Sequence, residues 1–193
     1  LMENKKLLEL IKKTQKWFYD RNLQTQNPDK QFLKLYEEIG ELASGMAKKK
    51  EDVIKDSIGD VAVVLIGLTL QLGIDTKEIF PNIESVPPTN SNKCEDHFIL
   101  LLDQSVAAYL NRQNYQLKNV VFELVRITKF LNLDFAECLE IAYEQIKNRT
   151  GEADWWYLGE RGGFVMEQKV KQYDTSSLVK ELENEQIHKE SDW

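Results

Sequence analysis

An all-α fold, a helical bundle of two related helical hairpins, is what this 193-residue sequence predicts, on three observations. Four prolines and nine glycines are few enough to let long helices run. Apolar residues recur at spacings of three and four, the helical period, rather than alternating as half-buried strands do. Two apolar segments also lie on two later ones with their key positions in register, so that the second hairpin repeats the packing of the first while losing its acids.

In chain order, Leu7, Leu8, Ile11 and Phe18 make a first helical stripe, with Trp17 beside it. "NLQTQNPDK" (22–30) is polar, carries Pro28 and reads as a loop. A long helix follows over about 30–49, with Phe32, Leu35, Ile39, Leu42 and Met46 on one face. "KKKED" separates it from a helix over about 53–72, apolar nearly all round after Asp60 and therefore central. "GID" (73–75) supplies a helix stop and then a new N-cap. "PNIESVPPTNSNK" (81–93) holds three of the four prolines and reads as a linker. Helices resume at about 96–112, 116–131 and 135–148. This organisation predicts one domain over 1–172, with hairpin one at about 30–75, a linker at about 81–95, hairpin two at about 96–134 and a C-terminal helix at about 135–149. A polar tail, 173–193, completes the chain, with "SLVKELENEQI" either helical or mobile.

The repeat is specific in its positions. "QFLKLYEEIGEL" (31–42) laid on "HFILLLDQSVAA" (97–108) matches Phe32 with Phe98, Leu35 with Leu101 and Glu37 with Asp103. "VAVVLIGLTLQLGID" (61–75) laid on "VVFELVRITKFLNLD" (120–134) matches Leu65, Thr69, Leu72 and Asp75 with Leu124, Thr128, Leu131 and Asp134. Gln104, Ala107, Tyr115 and Asn119 then stand where Glu38, Glu41, Asp56 and Asp60 stand in the first hairpin. The reading is a duplicated hairpin, against the alternative of a chance amphipathic likeness.

Composition narrows the functional classes. The net charge of −7 argues against wrapping a nucleic-acid polymer, which needs clustered Lys and Arg. The longest apolar stretch, 61–72, is too short to span a membrane, and "LMENKKLLEL" lacks the sustained apolar core of a secretory signal. Cys94 and Cys138 sit in no CxxC or Cys/His cluster, which argues against a disulfide scaffold or zinc site. A cytoplasmic location is the expectation.

The informative feature is the acids. Glu37 with Glu41, and Glu38 with Glu41, share a helix face, as do Asp56 and Asp60 at the head of the most apolar helix. Like charges at that spacing weaken a helix by a few tenths of a kcal/mol per pair, so stability gives no reason to gather them. A hard cation does. Mg²⁺ takes oxygen ligands, keeps several waters and commonly joins carboxylates to substrate phosphates, and Mn²⁺ is the alternative. The competing reading is an ordinary solvated acidic face. Cations for phosphate would come from Lys34, which could equally make a plain ion pair with Glu38. Lys147 and Arg149, with Asn148 between them, end the last helix, where the macrodipole alone also favours cations. Trp17 with Arg21 offers a base-stacking surface or a core contact. Trp155, Trp156 and Tyr157 read as a lid or, preferably, a cap on the bundle. His97 and His188 stand alone and read as surface residues.

"WFYDRNL" (17–23), "KQFLKLYEEIGELASGMAKKK" (30–50), "VIKDSIGDVAVVLIGLTLQLGID" (53–75) and "CLEIAYEQIKNRTGE" (138–152) resemble the MazG-like nucleotide pyrophosphohydrolases of the all-α NTP pyrophosphatase superfamily. The resemblance implies Mg²⁺-dependent hydrolysis of a nucleoside triphosphate to the monophosphate and pyrophosphate. It implies Glu38 and Glu41 as metal ligands, Glu37 as a ligand or as the group orienting the attacking water, and Asp60 as the last acid of an ExxD element. Three residues before Asp60 stands Ser57, with Asp56 one position earlier, so Asp56 substitutes or water fills in. Phosphate-binding roles for Lys147 and Arg149 are implied in the same way. The intervening second hairpin resembles the plan of dimeric dUTPases, with one working and one degenerate half. A dUTPase- or dCTPase-type hydrolase and a catalytically inactive nucleotide- or protein-binding module are the alternatives. The choice between a monomer and a homodimer stays open.

Overall fold

The computed structural model describes residues 2–149 except positions 81, 88 and 90, with the backbone alone at 2–4 and 84. These residues belong to one compact unit and form α1 (Met2–Asp20), α2 (Pro28–Lys48), α3 (Glu51–Leu72), the single turn α4 (Thr76–Ile79), α5 (Cys94–Asn111), α6 (Asn114–Phe130) and α7 (Phe135–Ile146), and no strand. The all-α expectation is met. The Trp155–Trp156–Tyr157 trio, His188 and the 173–193 tail fall outside the described residues.

Local chemistry sets the boundaries. The 22–30 loop ends earlier than the sequence suggested, because Asn27 caps α2 by accepting the Asp29 N–H at 2.8 Å and Pro28 opens the helix. Proline suits that position, where its missing N–H has no intrahelical partner to lose. At the other end Lys49 adopts a left-handed conformation (φ 53°), with its own N–H on the Met46 carbonyl and the Lys50 N–H on the Gly45 carbonyl. That pair of bonds is a Schellman closure. Only Lys49 and Lys50 separate α2 from α3, so "KKKED" is mostly helix rather than spacer. Gly73 (φ 68°) closes α3, and Asp75 caps α4 through the Lys77 N–H.

α3 is the central element, as its sequence predicts: every residue from Ser57 to Leu70 is buried except Asp60. α2, α7 and α1 pack against it. Two glycines permit this. A Cβ at Gly59 would lie 2.1 Å from the Cys138 carbonyl oxygen of α7, and one at Gly67 would lie 2.4 Å from the Phe18 ring of α1.

The second hairpin, α5 and α6, repeats the first in detail. Leu35 and Leu101, like Leu65 and Leu124, are fully buried. Thr69 and Thr128 are both buried and return their hydroxyls to carbonyls of their own helices. Asn132 takes the left-handed conformation (φ 55°) that Gly73 takes in the first copy, and Asp134 caps α7 as Asp75 caps α4. α6 also clamps the 82–93 connection: Arg126 donates to the Pro87 carbonyl and Lys129 to that of Ile83. His97 is buried in this clamp, with Nδ1 2.8 Å from Glu123 Oε2 and Nε2 3.3 Å from the Thr89 hydroxyl. It is not the surface residue its isolation in the sequence suggested. Its partners come from α6 and the connection, which no local spacing reveals. Among the described residues, no helix is long and apolar enough to cross a membrane.

Candidate functional site: an acid cluster between α2 and α3

The two-residue turn fixes which side chains of α2 and α3 come level. Gly45 of α2 sits against Ile54, where a Cβ would be 3.1 Å from the isoleucine side chain, and Gln31 reaches the Val64 carbonyl at 3.4 Å. Counting along the antiparallel pair brings Glu41 and Leu42 level with Ser57, and Glu38 level with Asp60 and Val61. The acids of the two helices therefore meet on one edge of the hairpin.

Their environments differ. Glu38 is only 5% exposed, whereas Glu37 and Glu41 stand at the surface. Lys34 binds two of the three glutamates, with Nζ 2.9 Å from Glu37 Oε2 and 2.7 Å from Glu38 Oε1. Burial works against the charge on Lys34, but these two bonds outweigh it and raise its pKa. Burial also raises the pKa of Glu38, and here desolvation outweighs the neighbouring lysine. Asp60 is the most perturbed acid of the group. Burial first, then the charges of Glu38 and Asp56, push it up to about 7; Lys34 pulls it down and Glu41 pushes it up. One cation among five carboxylates leaves an excess of partly buried negative charge.

Asp56 faces α7, where Gln145 Nε2 donates to its Oδ1 at 2.5 Å. Lys147, Asn148 and Arg149, all exposed, follow two residues beyond Gln145. Lys147 forms an ion pair with Glu144. Arg21 ties this end of α7 to α1: its Nε donates to the Arg149 carbonyl at 2.9 Å, and its guanidinium lies 4.5 Å above the Trp17 ring. Trp17 itself is 4% exposed and donates its indole N–H to the Ile146 carbonyl at 2.9 Å. The structure places Trp17 in the core as a link between α1 and α7, with Arg21 over its ring, and not on a surface offered to a base. Cys94 and Cys138 are buried and unpaired, and burial pushes the Cys138 thiol up to about 12, so it stays protonated.

The donor set suits a hard divalent cation. It is all oxygen, partly desolvated and short of positive charge, the condition in which buried carboxylates are costly. Among the described residues no three such side chains are already drawn together around a point. Ser57, the residue that stands where the resemblance implies an acid, adds a neutral oxygen: it is 1% exposed, and among the described residues its Oγ has no hydrogen-bond partner. Gly59 and Gln145 were missed by sequence reasoning. Gly59 lets α7 approach closely enough for Gln145 to reach Asp56, and the only hint in the sequence was a glycine inside an otherwise bulky helix.

Residues 4–86, less than half of the chain, match the phosphoribosyl-ATP pyrophosphohydrolase family, which falls within the MazG-like all-α NTP pyrophosphohydrolase superfamily. The matched region contains α1 from its third residue on, with α2 and α3, and with them the whole acid cluster. A protein of Haemophilus phage HP1 (strain HP1c1), described as an uncharacterized 18.2 kDa protein in the rep-hol intergenic region, is 56% identical over 71 residues. That alignment covers 36% of this chain and 44% of the phage protein, so the chain spans less than half the length of this relative. No solved structure matches the chain significantly.

Proposed function

We propose that the chain is a Mg²⁺-dependent nucleoside triphosphate pyrophosphohydrolase, releasing pyrophosphate and a nucleoside monophosphate. The observation that carries this reading is the approach of Glu38 and Asp60 from the two helices of one hairpin, close enough for the charge of Glu38 to raise the pKa of Asp60, in a segment similar to a pyrophosphohydrolase family. Glu38, Glu41 and Asp60 would hold the cation, with Asp56 at the α7 side. When bound, the cation supplies charge neutralisation for the triphosphate and polarises a water.

The remaining work falls to the chain's own side chains. Glu37, exposed beside the buried Glu38, would orient the attacking water. Lys34 already neutralises Glu37 and Glu38, and when a cation takes over that charge its ammonium becomes available to a phosphate oxygen. Lys147 and Arg149 would meet outer phosphate oxygens from the end of α7. The packed faces of α2 and α3 would keep Glu38 and Asp60 from shifting as charge moves along the substrate.

The test is pyrophosphate release from a panel of canonical and modified nucleoside triphosphates with Mg²⁺ or Mn²⁺. Glu38→Gln and Glu41→Gln should each abolish turnover while leaving the helical circular dichroism intact. Full activity in both variants refutes the reading, and no pyrophosphate from any nucleotide favours a binding module instead. Turnover confined to dUTP or dCTP would narrow the enzyme to a single-base hydrolase.

A further inference from the structure

We infer that Ser57 belongs to the cation site and holds a cation-bound water through its hydroxyl, an inference that rests on the reading of the acid cluster just given. Three observations converge on it. Among the described residues Ser57 is one of the most deeply buried polar side chains, at 1% exposure, yet its Oγ meets no donor or acceptor there. A serine inside a helix ordinarily returns its hydroxyl to the carbonyl three or four residues back. Thr14, Thr69 and Thr128 do so in this structure at 2.9, 2.7 and 2.7 Å. Ser57 does not, and a buried polar group without a partner is a liability that native structures seldom keep without reason.

Its position supplies the reason. Ser57 precedes Asp60 by three residues, so the two share a face of α3. The register set by Gly45 against Ile54 puts Ser57 level with Glu41 and Leu42 of α2, between the helices that carry the acids. Asp56, the neighbouring acid, already accepts a bond from Gln145 on the α7 side. A neutral hydroxyl cannot replace a carboxylate in charge, but it can donate to or accept from a water that a hard cation keeps. The orphaned Oγ is thus a polar group waiting for a partner that arrives with the hydrated cation.

The experiment uses the full chain and Mn²⁺ as probe, with binding followed by electron paramagnetic resonance and melting followed after chelation. Ser57→Ala removes the hydroxyl with minimal change of volume and should weaken Mn²⁺ binding about five- to tenfold, the worth of one hydrogen bond. Its metal-free melting temperature should stay level or rise, because an unsatisfied group has gone. Ser57→Cys puts a slightly larger, poorly hydrogen-bonding group at the same position and should lose Mn²⁺ affinity like the alanine variant. Wild-type affinity in either variant overturns the inference. So does a lower metal-free melting temperature in Ser57→Ala with Mn²⁺ affinity unchanged, which would make Ser57 a packing residue. If the wild-type chain itself binds no Mn²⁺, the cation reading fails and carries this inference with it, a result distinct from unchanged affinity in the variants.

Discussion

Asp60→Asn should stabilise the metal-free protein at pH 8 and by only about a third as much near pH 5, where the folded acid is protonated but the unfolded one is largely not. Folding raises the pKa of Asp60 from 3.8 to about 7, mainly by burial and then by the charges of Glu38 and Asp56. Between those values the folded chain holds a proton that the unfolded chain has released. Stability therefore falls as pH rises through this window and levels off above about 7. A gap of about 3 pH units at 1.36 kcal/mol each sets a ceiling of about 4 kcal/mol. Asp60 is not fully enclosed, so water relaxes part of the penalty and about 2 kcal/mol is the working figure. For a chain of this size that is about 4–8 °C in melting temperature. The assay is thermal or urea unfolding of wild type and Asp60→Asn in chelator at pH 5 and pH 8. Taking the difference between the proteins at each pH cancels the titration of the other acids. The same runs with Mg²⁺ should restore wild type at pH 8 by mass action, with a much smaller shift in the variant. A variant less stable than wild type at pH 8 in chelator would refute the argument, because Asp60 would then be well satisfied as an anion.

Lys34→Met removes the cation bonded to Glu38 and should destabilise the chelated protein by about 3 kcal/mol at pH 8, since a buried charge loses its partner. Adding Glu38→Gln to that variant should recover most of the loss in urea unfolding. Gly59→Ala forces a methyl against the Cys138 carbonyl and should cost about 3 kcal/mol or more, lowering the denaturation midpoint and detaching Gln145 from Asp56. Gln104→Glu combined with Asn119→Asp should recreate an unneutralised acid pair in the second hairpin. A double-mutant cycle should show an unfavourable coupling of about 1–2 kcal/mol at pH 8 that fades by pH 5.

What the sequence made legible was whatever helical periodicity alone dictates. Glu37, Glu38 and Glu41 share a side because of i, i+3 and i, i+4 geometry, and α3 is central because it has no polar face after Asp60. The cap at Asp75 was equally local. What escaped depends on register between elements. Ser57 showed in the sequence only as a missing acid, and its burial level with Glu41 comes from the Lys49–Lys50 turn. Trp17 looked available beside Arg21, but its partner is a carbonyl 129 residues away. His97 looked solitary because Glu123 and Arg126 belong to the next helix. Pro28 pointed to a loop only because its role depends on Asn27 before it.

The second hairpin explains why the first need not be acidic for the fold to stand. Gln104 and Asn119, which align with Glu38 and Asp60, hydrogen-bond to each other at 3.0 Å across α5 and α6. The same two positions thus face each other in both copies, once as acids and once as a neutral amide pair that satisfies itself. Packing residues are kept in both copies: Leu35 and Leu101, Leu65 and Leu124, Thr69 and Thr128. Stability selects those, and it is served at least as well by an amide pair as by buried carboxylates that raise each other's pKa. The acids of the first hairpin are therefore a cost the fold does not require, localised to one of two equivalent positions. A cost confined in that way is what the proposed cation site would account for, and the amide pair is what the same position holds in the hairpin for which no cation is proposed.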